Sequence, residues 1–152
     1  MGGTEIYVLN LVRELRLLGV DGFVVAPGST SRAYEAEGVS VRRFAGSASL
    51  PLADLYGAGD PSAAREFGKA LDAIQPDLVH FHAYTSASSL LALREARRRE
   101  LPVLLTYHTP TLTCARGTLL ELGRSICDGR MQPVRCTQCV LQGKGVAIPL
   151  AA

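Results

Sequence analysis

The three histidines of this 152-residue chain all fall at the ends of two short apolar runs. Pro76-Asp77-Leu78-Val79-His80-Phe81-His82 and Pro102-Val103-Leu104-Leu105-Thr106-Tyr107-His108 each read as a proline-led strand that runs into histidine. Apolar runs of this kind, flanked by polar helical stretches, predict strands of a parallel sheet covered on both faces. The C-terminal edge of such a sheet is where open α/β folds bind ligands. An imidazole placed there can hydrogen-bond a substrate or pass a proton near neutral pH. His108, at the end of its run, is expected to act in this way. His80, still inside its strand, is expected to satisfy buried backbone groups instead.

The four cysteines, Cys114, Cys127, Cys136 and Cys139, form a second constellation in a segment rich in Gly, Arg and Gln. Two thiolates spaced as Cys136-x-x-Cys139 can hold one metal from a single turn, and two more from an earlier loop complete a tetrahedral set. The spacing is not that of a zinc ribbon, and two readings stay open. One is a structural metal site, zinc ahead of an iron–sulfur cluster, with a redox pair behind both. The other is four unrelated thiols in a loop.

Elements must position these groups. Two glycines, Gly2 and Gly3, precede Thr4-Glu5 and a helix over 5–18, with Thr4 as N-cap, Gly19 as stop and Leu11, Leu15 and Leu18 on one face. Glycines before a helix let an anion approach the N–H groups of the first turn. Phe23-Val24-Val25-Ala26 predicts a buried strand. A short polar helix around Tyr34 and Glu35, closed by Gly38, and a strand over 39–44 towards a sheet edge are expected next, followed by a loop over 45–59. Asp60-Pro61 opens a helix with Ala64, Phe67, Leu71 and Ile74 at helical spacing. The helix over 86–99, between the histidine strands, ends in Arg94, Arg97, Arg98 and Arg99, a solvated end favourable to the helix dipole that can also touch an anionic lipid surface. Alternation of helix and strand predicts an α/β, doubly wound parallel sheet.

Composition limits the function. The length suits one domain. A formal charge of +2 and an aromatic content of 6% argue against a nucleic-acid binder. No run approaches the ~18 apolar residues of a membrane span, and the first residues lack the pattern of a signal peptide. The expected compartment is the cytoplasm, at the inner face of the membrane if the arginines touch lipid. Thiols there stay reduced, which puts metal ahead of disulfides.

In order and spacing, Gly2-Gly3-Thr4-Glu5, Ala26-Pro27-Gly28, the Pro76 to His82 tract and Thr106-Tyr107-His108 resemble the N-terminal domain of retaining glycosyltransferases of family four. The full enzymes have the two-domain GT-B fold. The resemblance implies a Rossmann-like acceptor-side domain over 1–112, a Cys-rich insertion over 113–145 and a continuation begun at 146–152. It implies a hexosyltransferase that moves a sugar from a nucleotide-sugar donor to an acceptor hydroxyl, saccharide or lipid-linked, with retention and no required cofactor. Gly2, Gly3 and Thr4 would face the donor diphosphate, and His108 would hold the sugar or acceptor rather than attack it. His82, Tyr84, Thr109 and Thr111 would line the acceptor side. The family's first central strand and its donor domain, with the paired glutamates that hold the donor, have no counterpart in this sequence. The expectation is therefore a fragment, or a gene model begun at an internal methionine and cut short, inert alone. The alternative is a non-catalytic α/β binding module with a four-cysteine metal knuckle.

Overall fold

The computed structural model describes residues 2–51, 54 and 57–147. The chain divides into two compact units, Met1–Thr106 and Tyr107–Ala152. Part of the expected 45–59 loop (52, 53, 55 and 56), and 148–152 of the expected continuation, lie outside the described residues.

In the first unit, helix α1 (Gly3–Leu17) takes Gly2 as its N-cap in place of the expected Thr4. Its inward face is also shifted. Leu9 and Val12 are buried against Val39, with Val24 and Ala36 around them, whereas Leu17 and Leu18 are about four-fifths exposed (80% and 79%). Gly19, at φ +79°, ends the helix.

Strands β1 (Phe23–Gly28), β2 (Arg32–Ala36) and β3 (Val39–Ala45) form one sheet in the order β1-β3-β2. β1 and β3 run parallel, and β2 returns antiparallel to β3. The segment around Tyr34 and Glu35, expected as a helix, is thus a strand. Glu37 and Gly38 both take positive φ, +50° and +79°, the pattern of a two-residue hairpin turn whose twist matches its flanking strands. Ala36 then faces Val39 in register. β3 is also not at an edge. Val39, Val41 and Phe44 are buried beneath helices, while the exposed Arg42 gives the strand its polar appearance.

Helix α2 (Pro61–Ile74) starts as its sequence predicts, with the Asp60 carboxylate accepting from the Ser62 N–H at 2.8 Å. Its apolar face meets two sheets. The Phe67 ring lies 6.2 Å from Phe44 of β3 and 5.6 Å from Phe81 of the next strand. That strand, β4 (Val79–Phe81), is joined through helix α3 (Leu90–Arg98) to β5 (Val103–Leu105), which pairs with it in parallel. Ala92 and Ala96 of α3 and Phe67 and Leu71 of α2 belong to one core. Arg99 reinforces the helix pair. Its guanidinium bonds both Asp72 oxygens at 2.6 and 2.7 Å and Glu95 Oε2 at 2.6 Å, so this arginine ties two helices while Arg94 and Arg97 stay in water.

The expected continuous doubly wound sheet is replaced by two small sheets, and β1-β3-β2 has α1 on the face of Val24 and Val39 and α2 on the face of Val25 and Phe44. Among the described residues no ladder joins β1-β3-β2 to β4-β5, because no strand lies between β1 and β4 to pair with both. β5 is not buried on both faces: Leu104 and Leu105 are 52% and 44% exposed.

The second unit holds a 3-10 turn (Pro110–Leu112), a short hairpin of β6 (Leu120–Glu121) and β7 (Ser125–Ile126), and helix α4 (Pro133–Gly143). Pro133 occupies the first turn of α4, where a missing N–H costs nothing.

Candidate functional site

Side chains alternate across a strand, and that alternation sorts the residues of β4. Val79 and Phe81 enter the core beneath α2 and α3. His80 and His82 therefore share the opposite face, with ring centroids 4.0 Å apart. Helix α1 approaches this face. The Tyr7 ring stands 5.8 Å from His82, and Tyr7 is one helical turn from Gly3. The N-terminus of α1 and the C-terminal end of β4 thus lie close together. His80 Nε2 and Thr106 Oγ1, 2.8 Å apart, share a hydrogen bond; it links β4 to the residue just past β5. His80 is half-buried, and this bond is made to a side-chain hydroxyl.

Tyr7 and Thr106 carry this cluster, and the sequence reading did not single them out. In the sequence Tyr7 is one apolar-leaning residue among several in the first turns of α1. The Thr106 bond depends on the register that sets His80 opposite Leu104, which neither strand discloses by itself.

At the start of α1 the Gly2 N–H donates to Glu5 Oε2 at 2.9 Å. The donors that an α-helix leaves without an internal partner in its first turn are those of Gly3, Thr4 and Glu5. Gly3 is open, with nothing within 4 Å of a built Cβ. An anion meeting this end would find Gly3 and Thr4 ready, and Gly2 only after Glu5 swings aside. Tyr84 is exposed, three residues past the strand.

His108 does not close a buried strand. β5 stops at Leu105, and His108 sits exposed on a bend at the start of the second unit. Tyr107 prolongs the run in the sequence, but the ladder has already ended at Leu105. The Thr109 and Thr111 hydroxyls lie 3.3 Å apart beside the 3-10 turn.

All four cysteines are free thiols and line one small cavity of about 20 Å³ in the second unit. Cys139 is buried, and the other three are half-buried. Burial alone would raise the Cys114 thiol, but the backbone N–H groups of Leu119, Thr118, Arg116 and Gly117 outweigh it and hold that thiol below the ordinary cysteine range. Among the described residues, no three of His, Cys, Asp and Glu stand within reach of a common metal ion. No helix among them is long and apolar enough to cross a membrane.

Searches of curated proteins and of solved structures return no match to this chain. The family model described as Glycosyltransferase Family 4 matches residues 1–134, a span that takes in α1, both sheets, the histidine cluster and the start of α4. With most of its length inside that match, the chain belongs to glycosyltransferase family 4.

Proposed function

We infer that the chain is the acceptor-side half of a hexosyltransferase that moves a sugar from a nucleotide-sugar donor to an acceptor hydroxyl with retention of configuration. One observation carries the reading beyond family membership. The start of α1 and the end of β4 meet through Tyr7 and His82, so an anion-attracting helix end lies beside hydroxyl and imidazole groups suited to a saccharide. In this reading Gly3 and Thr4, with Gly2 once Glu5 moves, stabilise the charge that develops on the departing diphosphate. His82 and Tyr84 of the first unit are assigned to the acceptor, and Thr109 and Thr111 of the second unit are assigned to it separately. His108 holds the sugar or acceptor in reacting geometry. No cofactor is required for the transfer. The reaction takes place in the cytoplasm, where the nucleotide sugar and a saccharide or lipid-linked acceptor meet.

The test joins this chain to a donor domain and measures transfer from a radiolabelled nucleotide sugar, with the anomeric configuration of the product read by NMR. His108→Ala should lower turnover by at least ~100-fold with the melting temperature unchanged, because its role is realised in the transition state. His80→Ala should chiefly lower the melting temperature. A folded His108→Ala enzyme nearly as active as its parent removes that residue from the site, and a product of inverted configuration removes retention. Transfer by the chain alone would show that the donor domain is dispensable.

A further inference from the structure

The second unit gathers every cysteine of the chain around one cavity. Cys114 leaves the 3-10 turn, Cys127 follows β7, and Cys136 and Cys139 lie one turn apart on α4. Three separate stretches of chain thus bring sulfur to a space of about 20 Å³, which suits one ion or one water. Packing alone does not account for this. Small apolar residues would fill such a space, whereas here the Cys136 and Cys139 sulfurs are met by N–H donors and the Cys127 thiol turns to Asp128 Oδ1 at 3.8 Å. The Gln132 N–H lies 3.4 Å from Cys136 Sγ and the Leu122 N–H 3.3 Å from Cys139 Sγ. Arg116 adds a guanidinium 3.7 Å from Cys139 Sγ. Donors aimed at sulfur favour thiolate and form the outer shell that orients thiolate ligands around a metal.

We propose that Cys114, Cys127, Cys136 and Cys139 bind one zinc ion that staples the hairpin, the 3-10 turn and α4 into a single unit. Four thiolates select a soft ion in tetrahedral geometry, and zinc fits without redox chemistry. The sulfurs stand apart in the structure described here, so binding must draw them inward. The Cys139 thiol, 3.5 Å from the Leu120 carbonyl oxygen, must give up that contact. Each thiol that becomes a ligand releases its proton to solvent, and no electrons are transferred. This site is independent of the sugar-transfer reading, and neither falls with the other.

The reduced, chelator-treated chain is titrated with cobalt(II) and then zinc(II), with visible absorption and thiol reactivity followed together. One equivalent of cobalt should give the bands of a tetrahedral thiolate complex, which zinc then bleaches. One equivalent of zinc should protect all four cysteines from a thiol reagent and slow amide exchange across 114–139. Cys136→Ser should weaken zinc binding by at least ~100-fold, since even outer-shell changes at metal sites cost about 10–100-fold. The wild-type titration decides the matter should that variant fail to fold. Absence of binding at one equivalent, protection of only two thiols, or disulfide formation under mild oxidant with no metal uptake would each overturn the proposal.

Discussion

Asp60 fastens two parts of the chain with one carboxylate. It is only 3% exposed, and its oxygens accept from the Ser47 N–H at 2.6 Å, the Ser47 hydroxyl at 2.8 Å and the Ser62 N–H at 2.8 Å. It thereby caps α2 and pins the loop that leaves β3. Burial pushes its pKa up, but the bonds from Ser47, Ala63 and Ser62 prevail and leave it below the ordinary carboxylate value. A depressed acid contributes stability that is present above its unfolded pKa and lost as pH falls through the folded one. Asp60→Ala should cost about 2–3 kcal/mol at neutral pH, from the lost cap and the groups left unpaired. The gap between variant and parent, measured by denaturant unfolding, should narrow as pH is taken below ~4. A gap of equal size at both pH values would show that the charge of Asp60 contributes nothing. The imidazole of His80 follows a similar rule: its value lies in the hydroxyl it meets at Thr106. Cross-strand contacts of this kind are invisible residue by residue, which is why half of the histidine cluster emerged only from the register.

At the scale of elements, legibility followed how strongly a segment specifies its own geometry. α2 could be read almost to the residue, since Asp60-Pro61 fixes its start and Phe67 and Leu71 repeat at helical spacing over a buried face. β2 could not, because its residues are nearly all exposed and carry no apolar alternation to mark a strand. Its structure comes from the Glu37-Gly38 turn and from pairing with β3, a tertiary cause. β3 misled for the opposite reason: Arg42 and Arg43 masked three buried apolar positions. This account makes the turn decisive. A Cβ at Gly38 would meet nothing within 4 Å, yet the residue sits at φ +79°. Gly38→Ala should therefore destabilise through backbone strain alone, by about 1–2 kcal/mol, while Glu37→Asn should be neutral or slightly stabilising. The latter loses a surface pair with Arg13 at 3.0 Å, whose partners are 48% and 55% exposed, a pair worth at most about 1 kcal/mol. Urea melts of both variants test this, and a Gly38→Ala protein as stable as its parent would show that the turn does not set the hairpin.

At the scale of the whole molecule, the first unit has more helix cover than sheet. α2 packs across both small sheets through Phe44, Phe67 and Phe81, yet among the described residues β1 pairs only with β3 and β4 only with β5. Phe23 on β1 and Leu78 just before β4 are 55% and 45% exposed, although both read from sequence as interior residues. The order of helices and strands was legible because each crossover announces itself locally. The continuity of the sheet was not, since it depends on a partner that neither edge encodes. Unpaired strand edges are templates for further pairing, in the right place or in the wrong one. A parallel apolar strand supplied ahead of Gly2, able to pair with β1 and β4 together, should merge the two sheets and cover these side chains. With about 2–4 °C of melting temperature for each kcal/mol in a chain of this size, a gain of at least ~4 °C is expected, along with slowed amide exchange in β1 and β4 and less aggregation on heating. The comparison needs this chain, the extended chain and an extended chain whose added strand is interrupted by proline, which cannot donate to the ladder. Equal melts for all three would mean that the edges of β1 and β4 are satisfied as they stand.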